Sequence, residues 1–522
     1  MKFSDLTDEQ VNLAKKIYKD NSQPWDKRMR SLVDLLGVSE RTARKWCSDK
    51  DKFDLKETPD VESEQYEAAK RRKIKKTATK FLITSAQSNT QVNSEFFENI
   101  EAYAKYHNAE IIVIPFRYKN PTSIDSKIPE SDYWVDEVAP YLVANRHNLN
   151  NNFSILGNVK IQPTATNPLS SIEALTINHS SIVGHPRVHL KVLPVLDSEN
   201  PKIICSTGAC TISNFSDSKS GAIGSFHHTL GFAIVEIKDR EKFFIRQVTA
   251  DKNGSFIDLY FNVKDGKVSR AKESLAVIKG DIHYGNHDEK VVNRSFKELI
   301  PKVNPKNIVL HDVFDGYSIN HHEEHDFIKQ YQKEITNKNS LKNEITNLFN
   351  WLDTIKKYNL IVVFSNHDDF LNRFIINSDV KKNIKNAMEY VEYAKILLEN
   401  KAPKGLIAYL LNQKFKNIKC LGRNESCKIK DWEVGIHGMD GINGSRGSIN
   451  QYRRLNCKLV TAHAHTAVRL DGALQVGTNT KLRMGYNNGV SNWTHSDVLI
   501  TSNGKAQHII YVGTEREFTT MK

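Results

Sequence analysis

The sequence predicts an α/β protein in which a small all-α domain precedes an α/β middle domain and a C-terminal α/β half. Three observations lead to this prediction. The chain has 522 residues, which is too long for one hydrophobic core and suggests about three domains. Short apolar strands alternate with amphipathic helices from Phe81 onwards. In the last half, several apolar strands end abruptly in Asp, Asn or His.

The composition favours an intracellular protein that binds polyanions. Lys and Arg total 74 against 61 Asp and Glu, a formal net charge of +13, and such a charge attracts nucleic acid first of all. The six cysteines are irregularly spaced without a C-x-x-C pair, which argues against a zinc ribbon or a disulfide scaffold. The polar amino terminus and the short apolar runs favour a cytoplasmic location without a membrane partner.

Residues 1 to 50 are predicted to form a helix-turn-helix-like DNA-binding head. In MRSLVDLLGVSERTARKWCSD the apolar residues have helical spacing on both sides of a Gly-Val-Ser turn, and Ser39 can cap the second helix. The exposed face of that helix would carry Arg41, Arg44 and Lys45, which could enter a major groove or contact phosphates. A small helical hairpin used for packing or assembly is the alternative.

The next segment, residues 51 to 79, is predicted to be a charged linker. It carries no apolar period and contains the basic run KRRKIKK. Beside a DNA-binding head, Arg71 and Arg72 of this run could add phosphate contacts. A solvated stretch without a partner is the alternative.

Residues 80 to 273 are predicted to form an α/β middle domain. The strand-like pieces FLITSA and AEIIVIP flank an amphipathic helix around SEFFENIEAYAKYH, and further short strands follow. The histidines of this segment lack carboxylates at ligand spacing. Its role is therefore left open between an assembly surface, as in a homo-oligomer, and a clamp over the substrate.

The chemistry is predicted to lie in the third block, residues 274 to 522. Five of its strands end in polar side chains of the kinds that bind metals. Because ligands bind at the carboxyl ends of the strands in open α/β sheets, we expect these side chains to converge. The strand ends carry Asp281 and His283, Asp312 and Asp315, Asn366 and His367, His437, and His463 and His465.

This set of side chains predicts a binuclear metal centre. Imidazoles and carboxylates with one amide, and without a thiolate, suit Mn, Fe, Zn or Mg. The ligands are too many for one ion, whereas two divalent ions that share a carboxylate would account for their number. Such a pair serves in-line attack on phosphorus. We expect manganese first, with magnesium, iron or zinc as alternatives.

The order of these strand ends resembles the calcineurin-like metallophosphoesterase family, whose motifs run D-x-H, G-D-x-x-D, G-N-H-D/E, a lone H and G-H-x-H. The resemblance covers residues 275 to 515, nearly half of the chain. It implies a four-layer αββα sandwich, with two ions held at the strand ends.

The resemblance also implies a role for each side chain. The ligands of the first ion would be Asp281, His283 and His465, those of the second would be Asn366, His437 and His463, and Asp312 would bridge both. His367 would lie beside the scissile phosphate and either polarise it or protonate the leaving oxygen. Asp315 is the other candidate catalytic residue.

The stretch AVIKGDIHYGNHDEK contains a second metal-binding phrase, residues 285 to 288. No strand precedes it, and FSNHDD further along the chain supplies the third motif, so we expect a loop near the ions rather than a ligand. The chain departs from the family at three glycines, which are His311, Ser365 and Ala462 here. These changes are expected to alter local geometry without removing a ligand.

The form GDIHYG resembles the DNA-processing branch of the family more than its protein phosphatases. Together with the basic charge and the helical head, it predicts a metal-dependent DNA nuclease that hydrolyses phosphodiesters. The architecture is also similar to that expected of early nucleases with which T-five-type coliphages destroy host DNA, which would place the protein in the host cytoplasm. Two alternatives are a phosphomonoesterase or cyclic-nucleotide phosphodiesterase on small substrates, and a DNA-binding regulator with a decayed site.

Overall fold

The computed structural model describes residues 6–20, 23–48, 64–75, 77–118, 133–196, 200–485 and 487–521. The first of two compact units contains residues 6–20 and 23–48, and the second contains the described residues from 64 onwards. The fold is mixed α/β, as the sequence predicts. Among the described residues, no helix combines the length and the hydropathy needed to cross a lipid bilayer.

The first unit consists of helices α1 (Asp8–Lys19), α2 (Trp25–Leu36) and α3 (Glu40–Ser48). Gly37 ends α2 in the left-handed conformation, with φ 59°, which glycine adopts without steric cost. At the start of α3, the Thr42 amide donates a hydrogen bond of 3.3 Å to Ser39 Oγ. Ala43 and Trp46 are buried. The predicted helix pair and its capped turn are therefore confirmed.

The predicted linker, residues 51–79, contains a helix in its second half. Helix α4 (Glu64–Arg71) buries Tyr66 and Ala69, so this segment belongs to the second compact unit rather than to a linker. Because the residues around Tyr66 and Ala69 are mostly charged, the sequence does not reveal that these two side chains are buried. Residues 51–63 lie outside the described part of the chain.

The second unit contains the strands and the remaining helices that the structure describes. The strands of its first half are β1 (Lys80–Gln87), β2 (Glu110–Phe116), β3 (Arg146–Asn148), β4 (Phe153–Leu156), β5 (Ser180–Val183), β6 (His189–Leu193), β7 (Lys202–Ser206), β8 (Gly231–Ile237), β9 (Phe243–Thr249), β10 (Phe256–Asp258), β11 (Phe261–Lys264) and β12 (Lys267–Arg270). Those of its second half are β13 (Ser274–Ile278), β14 (Pro305–Leu310), β15 (Leu360–Val362), β16 (Ile418–Cys420), β17 (Lys428–Ile429), β18 (Trp432–Glu433), β19 (Lys458–Thr461), β20 (Val468–Leu470), β21 (Ala473–Gln475), β22 (Ser496–Thr501) and β23 (Ala506–Ile510). Its further helices are α5 (Ser94–His107), α6 (Lys219–His227), α7 (Glu289–Arg294), α8 (Ile300–Val303), α9 (Phe327–Ile335), α10 (Leu341–Ile355), α11 (Asp368–Asn377), α12 (Ala387–Leu398), α13 (Leu406–Lys414) and α14 (Ile449–Tyr452).

A six-stranded sheet, in the order β16-β15-β14-β13-β22-β23, carries three of the predicted strand ends. Strands β13 to β16 run parallel, so their carboxyl ends lie at one edge. Side chains alternate between the two faces of a strand: Val277 packs in a core cluster with α10, α11 and α13, whereas Ala276 and Ile278 pack with Val460 and Leu474 of a second sheet. The six-stranded sheet thus lies between helices and another sheet.

The second sheet has ten strands and joins both halves of the second unit, in the order β17-β18-β19-β21-β20-β6-β7-β5-β4-β3. Strand β20 pairs antiparallel with β6, and Leu470 lies opposite His189. The boundary predicted between residues 273 and 274 therefore does not separate two compact units. Pairing between strands so distant in sequence leaves no mark in local hydrophobic periodicity, which is the only signal that the prediction could use.

A four-stranded sheet, in the order β2-β1-β8-β9, completes the scaffold together with the small antiparallel sheet β10-β11-β12. Ile83 and Ile112 of the four-stranded sheet share a core cluster with Ile155 and Cys205 of the ten-stranded sheet. Much of the segment predicted as a middle domain thus packs onto the ten-stranded sheet, in which β19 precedes the predicted ligands His463 and His465.

Candidate metal centre

The five predicted strand ends meet in one buried cluster. The loops after β13, β14 and β15 come from the parallel edge of the six-stranded sheet, and those after β18 and β19 come from the facing ten-stranded sheet. One ligand atom from each of Asp281, His283, Asp312 and His465 lies within 4.8 Å of the others. All four side chains are nine-tenths buried or more. The structure therefore brings together the residues that the sequence assigns to the first ion and the bridge.

Asp281 and Asp312 are the centre of this cluster. His465 Nε2 lies 2.9 Å from Asp281 Oδ2, and His283 Nε2 lies 3.4 Å from Asp312 Oδ2. The backbone amide of His463 donates a hydrogen bond of 3.3 Å to Asp281 Oδ1. Each carboxylate is thus surrounded by donors from strands that are distant in sequence.

The residues predicted as ligands of the second ion adjoin Asp312. His437 Nε2 lies 3.3 Å from Asp312 Oδ2 and 3.1 Å from Asn366 Oδ1. The His463 ring packs edge-on against His437 at a centroid distance of 5.2 Å. Asp312 therefore contacts His437 on this side and His283 on the other.

The backbone of the site is strained at four of these positions. His283, Asp312, His463 and His465 all have positive φ values, between 46° and 70°. For residues other than glycine, each such conformation costs on the order of 1 kcal/mol or more and persists only where the surrounding structure enforces it. Such strain clusters at functional sites, and here it directs the four side chains towards one another.

The donor atoms fit a divalent cation. Asp312 Oδ1 is fully buried and has no hydrogen-bond partner among the residues that the structure describes. A buried carboxylate oxygen left without a donor is costly, and the surrounding imidazole and carboxylate groups would share a cation with it. Nitrogen and oxygen donors without a thiolate suit the hard-to-borderline metals expected from the sequence.

The charges of the cluster also suit metal binding. Burial raises the pKa of Asp281, but the charge and the hydrogen bond of His465 together with the charge of His437 outweigh burial and lower the pKa to about 2. Burial disfavours the charged form of His463 and lowers its pKa to about 4. At neutral pH these groups are therefore a carboxylate and a neutral imidazole, which are the protonation states that ligands must adopt.

The predicted catalytic residues lie directly behind and beside His283. Asp315 Oδ1 accepts a hydrogen bond of 3.0 Å from His283 Nδ1, and Asp315 Oδ2 accepts one of 2.8 Å from Asn286 Nδ2. His367 Nδ1 donates to the Asp315 carbonyl oxygen at 2.7 Å, and its ring stacks on Phe370 at 4.5 Å. Asp315 thus orients the His283 ring, whereas His367 is half-buried at the rim of the cluster.

The phrase Gly-Asn-His-Asp at residues 285–288 has structural roles. His287 stacks on Tyr284 with ring centroids 4.9 Å apart. Asp288 caps α7 and forms an ion pair of 2.9 Å with Arg516. Its remaining polar residue, Asn286, supports the cluster through Asp315, as described above. That this phrase supplies no metal ligand stays a prediction.

Sequence reasoning missed two buried neighbours of the cluster. His311 Nδ1 lies 3.4 Å from His437 Nδ1, and burial lowers the pKa of His311 to about 3. Burial raises the pKa of Asp368 to about 7, and the charge of Asp312 adds to the effect. His311 stands where the family's second motif has a glycine, and Asp368 directly follows the predicted pair Asn366 and His367. Their places beside predicted motifs were the available signal in the sequence.

The structure describes the side chains of three of the predicted DNA-contacting residues. Arg41 is exposed on α3 and Arg71 is exposed at the end of α4. Arg72 Nη2 lies 3.5 Å from Glu110 Oε1 and donates to the Ile111 carbonyl oxygen at 3.4 Å. Arg72 is therefore engaged by residues of the second unit, and its contact with a phosphate stays a prediction.

The side chains of the other two predicted DNA contacts, Arg44 and Lys45, lie outside the described part of the structure. Their backbone belongs to α3. The prediction for these two residues accordingly stays a prediction.

Comparison with known proteins finds a relative in a bacteriophage. The chain is 29% identical to Protein A1 of Escherichia phage T5 over 453 residues, which cover 82% of this chain and 81% of that protein. No family model matches the sequence, and no solved structure matches it. The similarity therefore extends over most of both chains.

Proposed function

We propose that the protein is a metal-dependent DNA nuclease that hydrolyses phosphodiester bonds at the cluster around Asp281 and Asp312. The observation that carries this proposal is the convergence of five strand ends on two buried carboxylates, with imidazoles on both sides of Asp312. Strained backbone at four of the ligands supports a functional rather than a structural role. The two facing sheets support the four-layer αββα arrangement of metallophosphoesterases.

Two divalent cations, manganese first, are the proposed cofactors. Asp281, His283 and His465 would hold one ion, Asn366, His437 and His463 would hold the other, and Asp312 would contact both. When bound, such ions neutralise charge on a phosphodiester and lower the pKa of water. Asp315 keeps the His283 ring in place, because its carboxylate accepts the Nδ1 hydrogen and so directs Nε2 towards the cluster.

His367 is the proposed proton donor to the leaving oxygen. Its Nδ1 is used by the Asp315 carbonyl oxygen at 2.7 Å, which leaves Nε2 as the nitrogen for the substrate. Burial lowers the pKa of His367, so the ring is neutral at pH 7 and would gain its proton beside an anionic phosphate. The half-buried side chains of Asn366, His367 and His463 form the side of the cluster through which a phosphate would approach.

DNA is the proposed substrate because of charge and context. The net charge of +13 favours a polyanion, and the helical head exposes Arg41 on α3. The relative in phage T5 supports a phage protein, and the proposed role of such an enzyme is to degrade host DNA in the host cytoplasm. A phosphatase for small esters would need neither the head nor this charge.

The discriminating experiment offers the full-length protein three forms of DNA and a generic aryl phosphate, each with Mn²⁺, with Mg²⁺ and with EDTA. Degradation of supercoiled, linear or single-stranded DNA that requires the metal is the expected result. Turnover of the aryl phosphate without DNA degradation would replace the proposal with a small-substrate phosphoesterase. DNA binding without hydrolysis of either substrate would indicate a regulator.

A further inference from the structure

Helix α9 presents its apolar side to solvent. Phe327, Ile328, Tyr331 and Ile335 are 77%, 51%, 64% and 62% exposed. The side chain that the helix buries is a charged one, Lys333, which is 1% exposed. An amphipathic helix on a globular protein normally buries its apolar stripe. The orientation of α9 is therefore inverted.

Polar contacts hold α9 in this orientation. Lys333 Nζ lies 3.0 Å from Glu323 Oε2 and 4.5 Å from the centre of the Tyr317 ring. Lys329 Nζ donates a hydrogen bond of 2.6 Å to Glu323 Oε1. Because a buried lysine is costly unless it is paired, these contacts select the inverted orientation, and the apolar stripe stays outside.

Helix α12 and the turn before it expose a second apolar stripe. Ile384, Met388, Val391 and Leu398 are 69%, 80%, 64% and 83% exposed. Residues at this spacing lie on one side of a helix. Lys385 joins this stripe to the first, since its Nζ lies 3.5 Å from Glu334 Oε1 at the end of α9. The eight apolar side chains on these two segments form the α9–α12 face.

The α9–α12 face is as large as a stable protein interface. With about 150–200 Å² for a fully exposed large side chain, the exposed parts of its eight apolar residues amount to roughly 800–1,100 Å². The largest apolar patch on a typical monomer is about 300–600 Å². A standard interface buries about 800 Å² on each partner. An exposed apolar area of this size on two neighbouring segments, which the Lys385–Glu334 pair connects, points to a protein partner.

We propose that the α9–α12 face is the interface between two copies of this chain in solution. The exposed charges on α12 suit an antiparallel second copy, because Glu392 and Lys395 have opposite signs and lie three residues apart around the centre of the helix. A twofold axis there would place Glu392 of each copy opposite Lys395 of the other. Two molecules that each carry +13 repel one another least where they meet through an apolar face with both signs of charge.

The same features argue against two other occupants. DNA would meet an apolar surface and the carboxylates of Glu334 and Glu392, which repel phosphates. A lipid surface is bound by helices whose polar face is rich in Lys and Arg, whereas α12 also carries Glu389 and Glu392. The proposal concerns assembly and stands independently of the proposed nuclease activity.

The first test measures the mass of the full-length protein by light scattering and by sedimentation from about 1 to 50 µM. Twice the chain mass of 59.6 kDa, with a reversible concentration-dependent decrease at the low end, is the expected result. A mass that stays at that of one chain over this range would overturn the proposal. It would do so even if a different protein covers the α9–α12 face.

The second test uses charge substitutions with matched controls. Phe327→Lys is paired with Phe226→Lys, since both phenylalanines are 77% exposed, and Leu398→Glu is paired with Leu196→Glu, at 83% and 79% exposed. Phe327→Lys and Leu398→Glu should raise the dissociation constant at least tenfold, whereas the two controls should leave it unchanged. Thermal unfolding followed by circular dichroism checks that each variant is folded. A dimer that survives both substitutions on the face would refute this location of the interface.

Discussion

His283 Nδ1 donates a hydrogen bond of 3.0 Å to Asp315 Oδ1, and both side chains are buried. The imidazole therefore has one nitrogen fixed by a carboxylate and the other next to Asp312. A carboxylate behind a ligating histidine sets its tautomer and its orientation. The contact between His283 and Asp315 is therefore the arrangement expected if His283 binds a cation, as proposed above.

The first prediction concerns this carboxylate. Asp315→Asn should lower the affinity for Mn²⁺ by about 10–100-fold, because the His283 ring loses its anionic acceptor while the ligands themselves remain. Titration calorimetry of the metal-free protein measures the effect directly. Asp353→Asn on the exposed side of α10 is the control. Equal Mn²⁺ affinities in the two variants would show that Asp315 does not act through His283.

The second prediction concerns the ligands. Asp312→Ala and His463→Ala should each reduce metal-dependent DNA degradation by about 10²–10³-fold or more, because each removes charge stabilisation at the reacting phosphate. The initial rate of release of acid-soluble nucleotides measures the loss. His325→Ala, at an exposed position before α9, is the control. Near-normal rates for Asp312→Ala would place the activity at another site.

The convergence of the strand ends could be predicted from the sequence because the signal is local. An apolar run that stops at Asp312 or at His463 is visible within ten residues, and the parallel order of β13 to β16 brings such ends to one edge. The contact between Asn286 and Asp315 lacks such a signal, since it depends on how a loop after one strand meets the loop after the next.

The domain boundaries could not be predicted for a related reason. The hydrophobic pattern of the sequence does change after residue 273. However, β6, which lies before this residue, pairs with β20, which lies after it. Helix α4 is anchored by Tyr66 and Ala69, two apolar residues within a highly charged segment. Composition describes only the average of such a segment, whereas burial depends on single side chains that pack against residues distant in the sequence.

A third prediction concerns a buried ion pair near the sheet that carries the site. Lys279 Nζ lies 2.6 Å from Asp497 Oδ2, and both side chains are 0% exposed. Lys279→Met should lower the free energy of unfolding by about 3–5 kcal/mol, because it leaves a buried carboxylate without its counter-charge. Urea unfolding followed by tryptophan fluorescence measures the change.

Neutralising the orphaned carboxylate separates this cause from lost packing. The double variant Lys279→Met/Asp497→Asn should be more stable than Lys279→Met alone, since Ser295 and Tyr511 can still donate to the amide oxygen as they do to Asp497. Lys290→Met, which breaks an exposed pair with Glu515, should cause no measurable loss. A double variant that is less stable than Lys279→Met would contradict this account.

The last prediction concerns the dependence of stability on pH. His508 lies in β23 with its Nε2 3.0 Å from the Gln475 carbonyl oxygen, and burial lowers the pKa of His508 to about 4. The unfolded chain takes up a proton at this histidine below pH 6.5 or so, whereas the folded chain does so only near pH 4. Protonation therefore favours the unfolded state between these values. The contribution of His508 to stability is complete above pH 6.5 and is lost as the pH falls to 4, by about 1.4 kcal/mol per pH unit.

His508→Gln keeps an N–H donor for Gln475 and removes the titration, so the stability of the variant relative to the wild type should rise as the pH is lowered from 7 to 5. Urea unfolding of both proteins at each pH measures this difference in stability. The contributions of the other buried histidines are the same in both proteins and cancel. Parallel curves of stability against pH would show that His508 does not titrate in this range.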